Sequence, residues 1–103
     1  MFRFAVRQQK QARRRGIAPL SLDQAQALLE KFDGRCAYCP RPAATWDHVE
    51  PVAKGGLTRL GNVVPACVSC NSSKRARDVE EWAAARRIDL SYEFYEVTIM
   101  YGH

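Results

Sequence analysis

The stretch that decides the fold runs from residue 36 to residue 77 and reads "CAYCPRPAATWDHVEPVAKGGLTRLGNVVPACVSCNSSKRAR". It contains two Cys-x-x-Cys pairs, which are Cys36 with Cys39 and Cys67 with Cys70. Two intervening residues let the backbone curl so that both sulfurs face one point, and four thiolates complete the tetrahedral shell of a structural Zn²⁺. The 27 residues between the pairs exceed the roughly 15 to 20 of a simple zinc ribbon. The spacing therefore predicts an insert between two zinc knuckles.

Two other uses of the cysteines remain open at this point. Disulfides are disfavoured if the protein is cytosolic, because thiols stay reduced there. A redox dithiol needs only one pair and a βαβ context, which this sequence lacks. We favour structural zinc over both. Because a site with four cysteines has no open coordination position, that ion cannot activate water, and any chemistry requires a second site.

The length limits the size of the fold. With 103 residues the chain has room for one domain that buries about 65% of its unfolded surface, so a metal site is expected to matter for stability. No stretch approaches the roughly 18 apolar residues that span a bilayer, and no apolar signal segment follows the basic N-terminus. We expect a cytoplasmic protein without a membrane partner. Residues 1–20 are predicted to be a basic arm or short helix, and residues 21–103 a single domain.

Positive charge is concentrated in the first three quarters of the chain. The formal net charge is +5, but residues 1–77 hold 14 Lys and Arg against 5 Asp and Glu, whereas residues 78–103 hold 2 against 6. The two parts therefore carry +9 and −4. A basic surface attracts phosphate through counterion release, although many basic proteins bind no nucleic acid. Charge alone leaves nucleic-acid binding undecided.

Local patterns predict helices on both sides of the insert and a hairpin within it. Ser21 and Gln24 form a capping box for a helix that ends at Gly34. Its apolar stripe, a core face, consists of Leu22, Ala25, Leu28, Leu29 and Phe32. The further predicted elements are strands at 45–49 and 63–64 joined by a wide loop, a short helix opened by the second cysteine pair, and a helix capped by Asp78. The tail "SYEFYEVTIMY" at 91–101 alternates as a strand does.

The insert carries a dense motif. Asp47-His48-Val49-x-Pro51 is followed by Gly55-Gly56, then Asn62, and then Cys67-x-x-Cys70-Asn71-x-x-Lys74. This run resembles the HNH endonuclease family in its zinc-containing form, and the resemblance covers residues 36–77. It implies an α+β fold, namely a small ββα-metal (His-Me finger) domain with a structural zinc site of four cysteines and flanking helices. In that fold a hairpin and a helix hold one divalent cation.

The resemblance implies roles for four residues. His48 would be the general base that deprotonates the attacking water, and Asp47 and Asn71 would hold Mg²⁺ or Mn²⁺. Asn62 would hold the hairpin loop in shape, partly by orienting His48. The family often has histidine at the position of Asn71, but an amide oxygen can also bind a hard cation.

Elementary chemistry supports those roles independently. Histidine is the side chain whose ordinary pKa lies near 7, as a base for phosphodiester hydrolysis requires. Oxygen ligands such as Asp47 and Asn71 suit a cation that stabilises charge on the phosphate. Neighbouring residues on a strand point to opposite faces. If Asp47 and His48 are to serve one site, the strand must end or twist between them, or the ion must lie at the edge of the strand. Taken singly, the pair also fits an ordinary surface, and Asn62 and Asn71 fit turn and helix-cap positions.

The predicted partner is DNA, and we weigh two functions. The leading one is hydrolysis of DNA phosphodiester bonds by a stand-alone nuclease of the kind found in phages, in a bacterial or phage-infected cell, with packaging machinery as a further partner by analogy. The alternative is a catalytically inactive, zinc-stabilised nucleic-acid-binding module. Trp46 and Trp82 are predicted to be core anchors, and His103 is given no role. The candidate phosphate contacts are Lys54, Arg59, Lys74, Arg75 and Arg77.

Overall fold

A computed structural model describes residues 20–100 of the chain, except for the side chain of Met100. Its elements, in chain order, are α1 (Leu22–Lys31), β1 (Thr45–His48), a 3₁₀ turn (Val52–Lys54), β2 (Val63–Ala66), α2 (Val68–Lys74), α3 (Val79–Ala85) and α4 (Tyr92–Met100). The two strands pair with each other and the helices surround them, so this part of the chain is a small α+β domain, as predicted. The predicted arm, apart from Leu20, and His103 lie outside the described residues. None of the described helices is long and apolar enough to cross a membrane.

Helix α1 begins with the predicted capping box. Ser21 Oγ accepts a hydrogen bond from the Gln24 N–H at 3.1 Å, and Gln24 Oε1 accepts one from the Ser21 N–H at 3.2 Å. The buried face of the helix consists of Ala25, Leu28 and Leu29. Phe32 is buried directly after it, and the chain reverses at Gly34, whose φ of 69° suits glycine. Local sequence signals therefore set this helix and its core face.

The hairpin forms as predicted, with shifted ends. Strand β1 ends at His48, and β2 continues to Ala66, with Asp47 paired to Val64 and His48 to Val63 in antiparallel register. All four residues of β2 are buried, so this strand runs through the centre of the domain. Helix α2 follows β2 immediately and packs against β1. The hairpin and α2 thus form a ββα unit.

The two shorter helices begin at residues that cap them. Cys67 is the N-cap of α2, and its sulfur accepts a hydrogen bond from the Cys70 N–H at 3.4 Å. Asp78 is the N-cap of α3, and its Oδ2 accepts a hydrogen bond from the Glu81 N–H at 3.0 Å. Both caps satisfy N–H groups that a helix start leaves without an internal partner. The predicted starts of both helices are confirmed.

Aromatic rings form the centre of the core. Trp46 and Trp82 are both buried, as predicted, and are therefore not surfaces for stacking bases. The ring of Tyr38 meets Trp82 edge-on with 5.0 Å between centroids and lies 5.7 Å from the ring of Phe94. This packing joins the first cysteine turn, α3 and α4. It also places Tyr38 in the interior, next to the hairpin.

The predicted strand in the tail is wrong, because this segment is helix α4. Phe94 and Val97 are both buried, and residues three apart share a face on a helix but lie on opposite faces of a strand. Ser91 Oγ accepts a hydrogen bond from the Phe94 N–H at 3.1 Å at the start of the helix. Lys31 on α1 and Glu96 on α4 form an ion pair at 2.5 Å. Packing and capping outweigh the alternating pattern of the tail.

Candidate functional site

The four cysteines converge on one point. Their sulfur atoms all lie within 4.8 Å of one another, and Cys39 Sγ and Cys67 Sγ are 3.6 Å apart. Ligands placed tetrahedrally about 2.3 Å from a zinc ion would be separated by about 3.8 Å. All four cysteines are free rather than disulfide-bonded. The cluster therefore fits a structural zinc ion, and the disulfide alternative is wrong for this structure.

Burial controls the protonation of these thiols. It raises the pKa of Cys36 to about 11 and raises the pKa of Cys70 still further above its ordinary value. Burial acts in the same direction on Cys67, but hydrogen bonds from the Cys70 backbone and from the other thiols lower its pKa overall. Without a cation, burial thus favours the neutral thiol at Cys36 and Cys70. A divalent cation would displace those protons when it binds.

A separate cleft of about 410 Å³ lies where β1 meets α2. Its lining comes from the end of β1, from the loop after it, and from α2 with the turn beyond. The residues are Asp47, His48, Pro51, Val52, Ala53, Asn71, Ser72, Arg75 and Ala76. Asp47 and His48 both lie within β1, which ends at His48, so the strand does not end between them. The structure nevertheless brings Asp47, His48 and Asn71 together.

The carboxylate of Asp47 is buried and held by two donors. The Tyr38 hydroxyl donates to Asp47 Oδ2 at 2.5 Å, and Lys74 Nζ lies 3.2 Å from Oδ2 and 3.4 Å from Oδ1. Burial, and then the charge of Asp47, hold the pKa of Tyr38 well above its ordinary range. Tyr38 therefore keeps its proton and acts as a donor. A buried carboxylate requires such partners to offset its desolvation.

Lys74 departs from the sequence prediction. Its side chain has no exposed surface, and its ammonium group also donates to the His48 carbonyl oxygen at 3.1 Å. A lysine bonded in this way inside the domain cannot reach a phosphate at the surface, so its prediction as a nucleic-acid contact is wrong. The other four predicted contacts, Lys54, Arg59, Arg75 and Arg77, are all exposed. Of these, Arg75 lines the cleft.

The imidazole of His48 is buried at the end of β1 and makes a contact across the loop. Its Nε2 lies 2.8 Å from the Thr58 hydroxyl, which is ten positions further along the chain. A hydrogen bond at this distance restricts rotation of the ring. The predicted orienting residue was Asn62, whereas the contact seen at the ring belongs to Thr58. Orientation of His48 by Asn62 therefore stays a prediction.

Asn62 holds the loop between the strands by three side-chain hydrogen bonds. Its Oδ1 accepts from the Glu50 N–H at 2.7 Å, and its Nδ2 donates to the carbonyl oxygens of Glu50 at 3.1 Å and Leu57 at 2.8 Å. Gly56 fits tightly in the same loop, because a Cβ at this position would lie 1.7 Å from the Glu50 carbonyl oxygen. The Gly55-Gly56 and Asn62 positions of the motif thus shape the loop that forms one wall of the cleft.

Asn71 and Arg75 occupy the opposite side of the cleft. Asn71 Nδ2 donates to the Trp46 carbonyl oxygen at 3.3 Å, which ties α2 to β1. Because the amide nitrogen is used in this contact, the amide oxygen is the atom with which Asn71 can bind a cation. Arg75 follows α2 with a φ of 50°, a left-handed conformation that is uncommon for residues other than glycine. This conformation brings the chain round at the rim of the cleft.

Sequence reasoning missed two residues that hold the site together, Tyr38 and Thr58, and it assigned Lys74 to the surface. Tyr38 lies between the first two cysteines and Thr58 lies in a polar loop, so neither position has a pattern that indicates a partner. Lys74 was part of the motif, but the default location of lysine is the surface. The sequence separation of 27 residues between Lys74 and Asp47 conceals their ion pair. Only the packing of α2 against β1 reveals it.

The fold and the two sites together define a class of protein. An antiparallel hairpin and a following helix enclose a cleft with an Asp-His pair, and a four-cysteine cluster lies beside them. This is a small ββα domain with a four-cysteine cluster that could hold a metal ion. Residues 36–77 match the family model described as HNH endonuclease, so this segment of the chain is similar to the HNH endonuclease family.

A curated relative supports the same assignment. It is named "SPbeta prophage-derived putative HNH endonuclease YoqL" and comes from Bacillus subtilis (strain 168). The two sequences are 30% identical over 82 residues, which cover 68% of this chain and 36% of the relative. The chain therefore matches only about a third of the length of that protein.

Proposed function

We propose that this domain is a metal-dependent endonuclease that hydrolyses DNA phosphodiester bonds at the cleft between β1 and α2. The observation that carries the proposal is the convergence of Asp47, His48 and Asn71 on one cleft, although they come from two different elements. The cysteine cluster is separate from this cleft and leaves these residues available for chemistry. The match of residues 36–77 to the HNH endonuclease family model agrees with this function.

In this proposal His48 is the general base. Deprotonation of water at neutral pH requires a group with a pKa near 7, and the imidazole is the side chain with that ordinary value. The contact between His48 and Thr58 at 2.8 Å keeps the ring in one orientation at the cleft. A base held in place accelerates proton transfer more than one that rotates freely, because the reacting geometry is already formed.

Asp47 and Asn71 would hold the divalent cation. Both residues line the cleft and carry side-chain oxygen atoms, and Mg²⁺ and Mn²⁺ prefer oxygen ligands, so the residues fit such an ion. When bound, the cation stabilises negative charge on the phosphate and on the leaving oxygen. Arg75 lies at the same cleft and supplies a guanidinium group for a phosphate oxygen. Exposed Lys54, Arg59 and Arg77 would position the DNA backbone without reading its bases.

The biological setting follows by analogy and forms part of the proposal. The relative is named as prophage-derived, which agrees with a phage-type nuclease that acts in the cytoplasm of a bacterial cell. Packaging machinery is the partner that this setting suggests. Pull-down of packaging proteins by the zinc-loaded protein from phage-infected cells would support this partner.

A combined cleavage and binding experiment tests the function. Zinc-loaded protein is incubated with supercoiled plasmid without added cation, with Mg²⁺ and with Mn²⁺, and DNA binding is measured in parallel by gel shift. We expect nicked or linear DNA only when one of the two cations is added. Binding without cleavage under all three conditions would instead support the inactive module, which is favoured by one observation: Asp47 already pairs with a cationic group, Lys74.

A further inference from the structure

We propose that Tyr38 is a positioning residue that links the zinc knuckle to the cation site, because its hydroxyl sets the orientation of the Asp47 carboxylate. This inference rests on the proposed function of the cleft, and it assigns a role to a residue to which the resemblance assigned none. Tyr38 itself does not line the cleft and acts through Asp47.

Tyr38 is fixed at three places. Its backbone N–H donates to Cys36 Sγ at 3.4 Å, its ring packs edge-on against Trp82, and its hydroxyl donates to Asp47 Oδ2 at 2.5 Å. The residue is 5% exposed, so the ring has no room to swing away. The position of the hydroxyl is therefore determined by the cysteine turn and by the aromatic core.

The hydroxyl and Lys74 act on the same carboxylate group. Tyr38 donates to Asp47 Oδ2 at 2.5 Å, and the Lys74 ammonium group donates to Oδ1 at 3.4 Å and forms an ion pair with Oδ2 at 3.2 Å. Two donors of different origin, one hydrogen-bonded to each oxygen, define the plane of the carboxylate. Groups that orient a metal ligand in this way affect metal affinity about 10- to 100-fold when they are removed.

The geometry has a consequence for the zinc site. Tyr38 lies between Cys36 and Cys39, and an ion held by these thiolates would fix the turn from which the tyrosine projects. The path from the zinc ligands to Asp47 thus consists of one residue. A zinc ion held by these thiolates would contribute to the cation site through this residue in addition to stabilising the fold.

The substitution Tyr38→Phe tests the proposal, since it removes the hydroxyl and keeps the packing ring. Binding of Mn²⁺ to the zinc-loaded protein is measured by electron paramagnetic resonance, together with zinc content and thermal unfolding. We expect Mn²⁺ affinity to fall about 10- to 100-fold with zinc content unchanged. Tyr95→Phe is the matched control on α4, where the side chain is 38% exposed, and we expect wild-type affinity for it.

The outcomes separate a positioning role from a structural one. Loss of cleavage by Tyr38→Phe that is restored by a higher Mn²⁺ concentration supports positioning. Mn²⁺ affinity within about twofold of wild type, loss of zinc from the variant, or a wild-type protein that binds no Mn²⁺ would each overturn it. If the variant weakens Mn²⁺ binding but the wild type cleaves no DNA, the inference stands and the proposed function fails. If the wild type cleaves DNA and Tyr38→Phe changes neither the Mn²⁺ affinity nor the cleavage rate, the inference fails and the proposed function stands.

Discussion

Replacement of Lys74 by methionine probes the buried ion pair that supports the cleft. Methionine has nearly the same length and no charge, so the change removes the ammonium group without leaving a large cavity. The ammonium contacts Asp47 Oδ2 at 3.2 Å, Oδ1 at 3.4 Å and the His48 carbonyl oxygen at 3.1 Å. Its loss leaves a buried carboxylate with one partner fewer and a carbonyl group without this donor.

The expected cost is large for a domain of this size. Removal of one partner of a buried pair destabilises a protein by about 3 to 5 kcal/mol, because it leaves the other charge buried and uncompensated. Because whole domains are stable by only about 5 to 15 kcal/mol, Lys74→Met should lose a substantial part of the total. The double variant with Asp47→Asn should recover part of this loss, since it removes the buried charge that Lys74→Met leaves behind.

Urea unfolding at a fixed concentration of free zinc measures this free energy, because bound zinc contributes to the apparent stability. Lys54→Met is the matched control: Lys54 is exposed on the loop, and its replacement should change the free energy of unfolding by no more than about 0.5 kcal/mol. A loss below about 1 kcal/mol for Lys74→Met would refute the reasoning. Equal losses of unfolding free energy for Lys74→Met and Lys54→Met would also refute it.

Two further predictions concern the loop and the zinc site. Gly56→Ala should destabilise the domain by more than about 2 kcal/mol, because its Cβ would lie 1.7 Å from the Glu50 carbonyl oxygen. Gly55→Ala should cost only about 1 kcal/mol, because no atom lies within 4 Å of an added Cβ and only the φ of 92° is unfavourable. Equal losses for Gly55→Ala and Gly56→Ala in thermal unfolding would contradict this account. Zinc binding at pH 7 should release about two to four protons, because burial holds the pKa of Cys36 at about 11 and that of Cys70 higher still. Zinc affinity should therefore fall as the pH is lowered. Calorimetry in buffers with different ionisation enthalpies counts these protons, and release of fewer than one would contradict the thiol assignment.

Much of the fold could be predicted because its signals are local. The capping box of Ser21, the N-cap position of Cys67 and the N-cap Asp78 each lie within a few residues of the helix that they start. The tail lacked so clear a signal. Its alternating apolar residues resemble a strand, and the helix is stabilised instead by burial of Phe94 and Val97 in a core formed by distant parts of the chain.

The candidate site could be predicted as a set of residues but not as a network. The motif identified Asp47, His48 and Asn71, and the structure brings all three to one cleft. The contacts that hold them come from Tyr38 and Thr58, whose residue types have many uses and whose spacing to the site carries no pattern. A long-range ion pair such as that of Lys74 depends on how α2 packs, which no local rule supplies.

The rate of plasmid nicking by His48→Ala tests the central claim most directly. It is compared with wild type and with His103→Ala, which replaces the other histidine of the chain, in zinc-loaded protein with Mg²⁺ or Mn²⁺. A general base contributes about 10²- to 10⁴-fold to the rate, so His48→Ala should nick at least about 100-fold more slowly, while His103→Ala matches the wild type. Equal nicking rates for His48→Ala and wild type, with zinc content and fold intact, would contradict the account.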